Sequence, residues 1–204
     1  MRPGSTVVDT STIGYAQTLS IEMKLAALGS HLLDAPVSGM ASRAADGTLT
    51  AMCGGGEPVF NEVAPYLRTM ASTVLHMGAA GTGQLTKLIN QLLLDINCTA
   101  IAEILPMAVK LGLNAEKVAA VVNSGTGHSY ASEFFVPHIL AGRFSNGYPL
   151  KHAYKDFVSG AGLSAKMGMP LPMLSSAMAT ACRIIRSSTC KLLVLIQSLP
   201  HRFC

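Results

Sequence analysis

The sequence predicts an α/β sheet region followed by an all-helical region, and three observations carry that prediction. Strand-like runs alternate with helical stretches between Thr6 and Met77; beyond Gly83 nothing reads as a strand until the very end; and one long apolar stretch, Gly81 to Leu105, stands where the pattern changes. The boundary therefore falls near Met77 to Thr82.

Taken in order, Thr6-Val-Val-Asp9 reads as a short buried strand, and Asp9-Thr-Ser-Thr12 as a polar loop feeding a helix from Tyr15 to Leu28 that Gly29 ends. His31–Ala35 and Thr48–Cys53 read as further strands. Gly54-Gly-Gly56 makes a turn into a helix over Pro58–Met70, whose Pro58 suits a first turn. Thr73–Met77 is a fourth strand. The segment Asp34-Ala-Pro-Val-Ser-Gly39 reads as a loop at a strand end, where open α/β sheets gather ligands. There the Ser38 hydroxyl and the freely approached Gly39 backbone suit a carboxylate, although an ordinary Pro-containing turn explains the same residues. Thr12 and its neighbours read equally well as helix caps.

The long stretch carries Leu85, Leu88, Ile89, Leu92, Leu93, Ile96, Ala100, Ile101 and Ile104, wider than one stripe of a 3.6-residue repeat, so a buried central helix is predicted. Lys87, Asn90 and Gln91, spaced i, i+3, i+4, share one face of it. Two readings of this trio stand. Either Lys87 extends its ammonium to water while the amides bond backbone, or a lysine acid stands beside amides that hold a small polar substrate. Pro106 is expected to kink or end the helix, Gly112 to close its continuation, and Asn114 to cap a helix running to Val122. Asn123–Ser129 reads as a polar loop with an exposed His128, Phe144–Pro149 as an aromatic turn, and Leu150–Gly162 as a helix whose Lys151, Lys155 and Asp156 form a solvated face.

Composition narrows the function classes. Half of the 204 residues are hydrophobic, so a core is available, and a net charge of +4 without a dense basic run argues against nucleic acid. Five cysteines at irregular spacing form neither a disulfide framework nor a zinc pattern, so reduced thiols in a cytoplasmic setting and no metal site are expected. Met1-Arg-Pro-Gly leads straight into a strand rather than a signal peptide, and no uninterrupted apolar run reaches membrane-spanning length; a soluble protein with no membrane partner is expected.

Taken together, Asp34–Gly39 with Gly47-Thr-Leu-Thr50 and Gly54-Gly55, Gly81-Thr-Gly-Gln84 with Lys87 and Asn90-Gln91, and Tyr148-Pro-Leu-Lys-His-Ala-Tyr-Lys-Asp156 resemble the β-hydroxyacid dehydrogenase family, in that family's order from about Thr6 to Ala179. The resemblance implies an oxidoreductase that moves hydride between NAD or NADP and a small hydroxyacid or semialdehyde bearing a carboxylate. It implies that Lys87 is the catalytic acid/base, that Ser38 and Gly39 bind the carboxylate, and that Asn90 and Gln91 orient the substrate. Tyr148 then lines the pocket, Thr12 lies near the nicotinamide, and Lys155 and Asp156 close over cofactor and substrate. The implied architecture is the second half of a Rossmann-type domain over residues 1–79 and a helical domain like that of 6-phosphogluconate dehydrogenase over 80–181, with a divergent tail over 182–204. Subunits are expected to pair as a homodimer or homotetramer.

Three departures qualify this. The family's Gly-x-Gly-x-x-Gly turn is absent, which reads as an N-terminal truncation, and Met40 stands where the motif usually has a second glycine. The tail from Cys182 does not resemble the family's closing helix, as a shifted frame or splice variant would produce. A different class of function is therefore kept beside the enzyme: an inactive fragment that serves as a helical dimerisation module.

Overall fold

The structure, a computed structural model, describes residues 1–143 and 150–186. The chain forms two compact units, Met1–Asn90 and Gln91 onward, and one helix runs through the division.

In the first unit the elements are β1 (Thr6–Asp9), α1 (Tyr15–Ala26), β2 (His31–Asp34), β3 (Val37–Ser38), α2 (Met40–Ala45), β4 (Leu49–Gly54), α3 (Glu57–Leu67), β5 (Ala71–Gly78) and the start of α4 (Thr82–Lys110). The sheet is mixed. β1 runs parallel to β2 with Thr6 opposite His31, and β4 runs parallel to β5, whereas β2 and β3 both meet β4 antiparallel, with Asp34 opposite Gly54 and Ser38 opposite Thr50. The core forms between α3 and the sheet: Val63 and Leu67 lie one turn apart on α3 and pack with Leu33, Leu49, Ala51, Cys53 and Ala71. Pro58 sits in the first turn of α3, where its missing N–H costs no bond.

Two elements of this unit depart from the sequence reading. The Asp34–Gly39 run is not a plain loop, because Val37 and Ser38 pair with β4 as β3. Short α2 follows at once, entered through Gly39 at φ 139° and Met40 at φ 60°. Met40 is the one non-glycine residue with positive φ among the described residues, a conformation that is costly for a long side chain.

The second unit holds the rest of α4 with α5 (Ala115–Ser124), α6 (Tyr130–Leu140), α7 (Leu150–Met167) and α8 (Pro172–Arg186). Its core is built on small residues: Ala153, Ala177 and Ala181 surround Phe157 and Leu174, with Leu92 and Ile96 packed against them. Close approach is needed here, since a Cβ on Gly160 would stand 2.7 Å from Leu92 Cδ1. The helix starts are capped locally: Asn114 Oδ1 accepts from the Lys117 amide at 2.9 Å, and Ser129 and Ser132 form a reciprocal capping box.

Helix α4 corrects two expectations and adds to a third. Pro106 does not end it; the helix continues to Lys110 and, as expected, closes on a left-handed Gly112, with Gly112 N bonded to Val109 O and Leu113 N to Ala108 O. It is not buried all round. Ile89, Leu93, Ile104 and Met107, at helical spacing, are exposed, as is Leu111 just past its end, and apart from Gly83 the buried positions of its first half are the polar Gln84, Lys87, Gln91 and Asp95. By length and composition it also meets the requirements for crossing a membrane, with a mean hydropathy of 1.7 over its most apolar window, because scattered amides and single charges dilute an average without breaking it. Its buried, protein-facing polar stripe fits a helix of a protein interior.

Candidate functional site

The site is built around the start of α4. The first helical amides have no intrahelical acceptor, and here a carboxylate from far upstream receives them. Asp34, fully buried at the end of β2, accepts from Gly81 N at 2.6 Å through Oδ1 and from Gln84 N at 3.0 Å through Oδ2. Burial raises its carboxyl above the ordinary carboxylate value, and the amides of Gly81, Gln84, Gly83 and its own residue pull it part of the way back. Nothing larger than glycine fits beside it: a Cβ on Gly83 would stand 2.7 Å from Asp34 Oδ2, and one on Gly54 2.7 Å from Asp34 Oδ1.

Gln84 extends the connection to a third segment. Its Oε1 accepts from Ile13 N at 3.2 Å and its Nε2 donates to Ser11 O at 2.7 Å, so the two residues that flank Thr12 are held by one side chain. The Ser11 amide donates to Asp9 Oδ1 at 2.9 Å, which tightens the same loop. The cap of α1 is Gly14, without a side-chain hydrogen bond, so the Ser and Thr residues of this loop are not its helix caps.

Lys87 follows one turn later and is only 8% exposed, with Gln91 at 6% on the same buried stripe. Asn90 stands on the exposed margin of that stripe, and its Nδ2 donates to Ser38 Oγ at 3.5 Å, the long limit of a hydrogen bond. Thus Ser38 and Asn90, 52 residues apart in sequence, are brought together in the first unit. Gly39 follows Ser38 and opens the α2 turn.

Among the predicted residues of the second unit, Lys155 and Asp156 lie on α7. Asp156 is buried while Lys155 is exposed, so the solvated face expected for that pair holds for the lysine only. His128 is exposed and pairs with Glu133 at 3.1 Å. Tyr148 falls outside the described residues.

Asp34 and Gln84 are the residues that sequence reasoning passed over. Both stand inside quoted motifs, and the one available signal was an acidic residue at a strand end in an otherwise apolar segment.

Comparison with known proteins adds the relatives. Residues 1–78 match the family model of the NAD binding domain of 6-phosphogluconate dehydrogenase, and residues 81–189 match that of the NAD-binding of NADP-dependent 3-hydroxyisobutyrate dehydrogenase. The chain is 35% identical over 180 residues to 2-(hydroxymethyl)glutarate dehydrogenase of Eubacterium barkeri, covering 88% of this chain and 59% of that protein. It is 34% identical over 177 residues to the mitochondrial 3-hydroxyisobutyrate dehydrogenase of Drosophila melanogaster, covering 83% of this chain and 55% of that protein. A crystal structure of 3-hydroxyisobutyrate dehydrogenase from Salmonella typhimurium superposes with a TM-score of 0.88 at 32% identity, covering 97% of this chain and 70% of that one. The chain therefore spans less than two thirds of the length of these two curated relatives.

Proposed function

The chain belongs to the β-hydroxyacid dehydrogenase family, and from that premise we propose that it carries the proton-transfer and carboxylate-binding machinery of an NAD- or NADP-dependent oxidoreductase acting on a small hydroxyacid or semialdehyde. The observation that carries the reading is the buried Lys87, held on the first turns of a capped helix with Ser38 and Asn90 in contact nearby in the same unit.

The chemistry assigns roles to these groups. The nicotinamide supplies or accepts the hydride. Reduction of a carbonyl builds negative charge on its oxygen, and the Lys87 ammonium delivers the proton there; in the oxidative direction the neutral amine takes it from the hydroxyl. Ser38 Oγ and the Gly39 amide bind the carboxylate, and Asn90 and Gln91 orient the substrate by their amides. The Thr12 loop fits the nicotinamide end of the cofactor, since it is polar, stands at the carboxyl end of β1 and is held by Gln84. Lys155, Asp156 and Tyr148 keep the closing and pocket-lining roles that the family resemblance implies.

Assembly is proposed on separate grounds. Leu93, Ile104, Met107 and Leu111 form a stripe on α4 that is at least half exposed at every position, Leu111 reaching 71%. Covering it by a second copy gives a homodimer or a higher symmetric oligomer. This stripe also favours the second reading, an inactive dimerisation module.

The discriminating experiment titrates NADH and NADPH into the chain by fluorescence and follows oxidation of a panel of small β-hydroxyacids. Saturable micromolar binding with turnover supports the enzyme. Absence of both, with a stable dimer in light scattering, supports the module.

A further inference from the structure

We infer that the first turn of α4 is an alignment joint, in which Asp34 and Gln84 are positioning residues that register Lys87 against the Ser38–Gly39 segment on one side and the Thr12 loop on the other. The inference rests on the roles proposed above for Lys87, Ser38, Gly39 and Thr12, and it adds two residues that need touch neither substrate nor cofactor.

Two segments distant in sequence, the end of β2 and the Ser11–Ile13 loop, converge on the four residues Gly81 to Gln84. The Asp34 carboxylate reaches two amides three residues apart, Gly81 N at 2.6 Å and Gln84 N at 3.0 Å, so it fixes both the height and the rotation of the helix end. Lys87 lies three residues beyond Gln84, about 4.5 Å along the axis and nearly in line with it, so the position of the cap is passed to the lysine through less than one turn of rigid helix. On its other side Asp34 leads through Pro36 into β3, which is hydrogen-bonded to β4 and carries Ser38. The same carboxylate thus anchors the helix that bears the acid/base to the strand that bears the carboxylate ligand.

Gln84 makes the second connection. Its backbone amide is gripped by Asp34 while its side chain brackets Thr12 through Ser11 O and Ile13 N. The joint has no slack, because the missing Cβ atoms of Gly54 and Gly83 would each lie 2.7 Å from a carboxylate oxygen of Asp34. A cap that serves helix stability alone is supplied by the residue just before the helix, as Asn114 and Ser129 supply it for α5 and α6. The cap of α4 instead comes from 47 residues upstream of the amide that it binds.

The test compares the chain with three variants: Asp34→Asn, isosteric but with one acceptor replaced by an amide donor; Gln84→Ala, which releases the loop without loss of helix propensity; and Val63→Ala, a core control between α3 and the sheet. Residue-resolved amide exchange and steady-state kinetics with both cofactors are measured. Asp34→Asn accelerates exchange at Gly81, Gln84 and Lys87 by about tenfold or more, and Gln84→Ala accelerates Ile13 while leaving Gly81 protected. Val63→Ala accelerates all of these alike. In turnover, Asp34→Asn lowers kcat by about 10- to 100-fold at a cofactor KM within about threefold of wild type, and Gln84→Ala raises the cofactor KM first. If Asp34→Asn does not fold, Gln84→Ala decides: selective acceleration at Ile13 with Gly81 protected supports the joint, and the uniform Val63→Ala pattern overturns it. Exchange in Asp34→Asn and Gln84→Ala that follows the uniform Val63→Ala pattern overturns the joint, as do unchanged kinetic constants in both. A wild type without turnover sinks the functional reading and leaves the exchange pattern to decide the joint alone.

Discussion

The two halves of α4 are held by different contacts. Up to Asn90 its buried stripe is polar, and it is held by hydrogen bonds to groups 47 to 73 residues away, Asp34, Ser11 and Ile13. From Gln91 onward the polar stripe continues through buried Gln91 and Asp95, but Leu92 and Ile96 of the same helix pack against alanines, Phe157 and Leu174, and the adjoining helices begin on caps drawn from their own sequence. Apolar packing is directionless and tolerates adjustment, whereas a bidentate carboxylate fixes an orientation. The half that carries Lys87 is the half built from directional bonds.

The largest expected effect separates the two halves by stability. Phe157 is 1% exposed at the centre of the second unit's core, so Phe157→Ala should cost about 3–5 kcal/mol, read from denaturant unfolding. If the units are independently organised, the Asp34-bound amides of the first unit keep their slow exchange in that variant. Loss of protection at Gly81 and Gln84 together with the helical core would show that the contrast between the halves is false.

Charge sharpens the same comparison. The carboxyl of Asp34 is raised by burial, so in the folded state it holds its proton to higher pH than in the unfolded chain. Its titration therefore contributes stability that is fully present below the unfolded value, about 4, and is lost as pH rises through the folded value. Relative to Asp34→Asn, the wild type should lose stability over that window in a series of thermal melts. A difference that stays flat, or grows with pH, contradicts the direction of the shift. Thiols respond alike: burial, with the charges of Asp34 and Asp95 beside them, pushes Cys53 up to about 11 and Cys98 up to about 12. From those shifts the thiolate fractions at pH 8 fall about 100-fold and about 1000-fold, so alkylation of both should be slowed at least that much in the folded chain and should recover on unfolding.

Local caps give smaller effects. Asn114→Ala removes the side-chain acceptor for Lys117 N and should cost about 1 kcal/mol, confined to α5 in exchange measurements. The smallest is the exposed His128 and Glu133 pair, screened by solvent, where His128→Ala should change stability by less than about 1 kcal/mol.

What could be read from the sequence follows the same division. β1 and the first residue of α1 agree with the expected starts, because Thr6–Asp9 and Tyr15 lie beside clear turn or loop signals. The Asn114 cap was legible for the same reason, its partner being three residues away. Tyr130–Leu140 was given no element, since its apolar and aromatic residues surround the helix without a clear stripe and it contains Pro137. β3 reads as a loop in the sequence because a two-residue strand has no period to detect, and its existence depends on pairing with β4. Lys87, Asn90 and Gln91 announced themselves as polar residues in an apolar stretch. The partners that hold that stretch in place, Asp34 and Gln84, did not, because nothing local distinguishes a carboxylate that will meet amides 47 residues later from one that will meet water.

The central claim is that Lys87 transfers the proton, and its most direct test is turnover of NADH and NADPH with small carboxylate-bearing semialdehydes in wild type and Lys87→Ala. The account predicts kcat lower by about 10²- to 10⁴-fold in the variant, with cofactor affinity within about threefold of wild type. Equal turnover in the two proteins would contradict it.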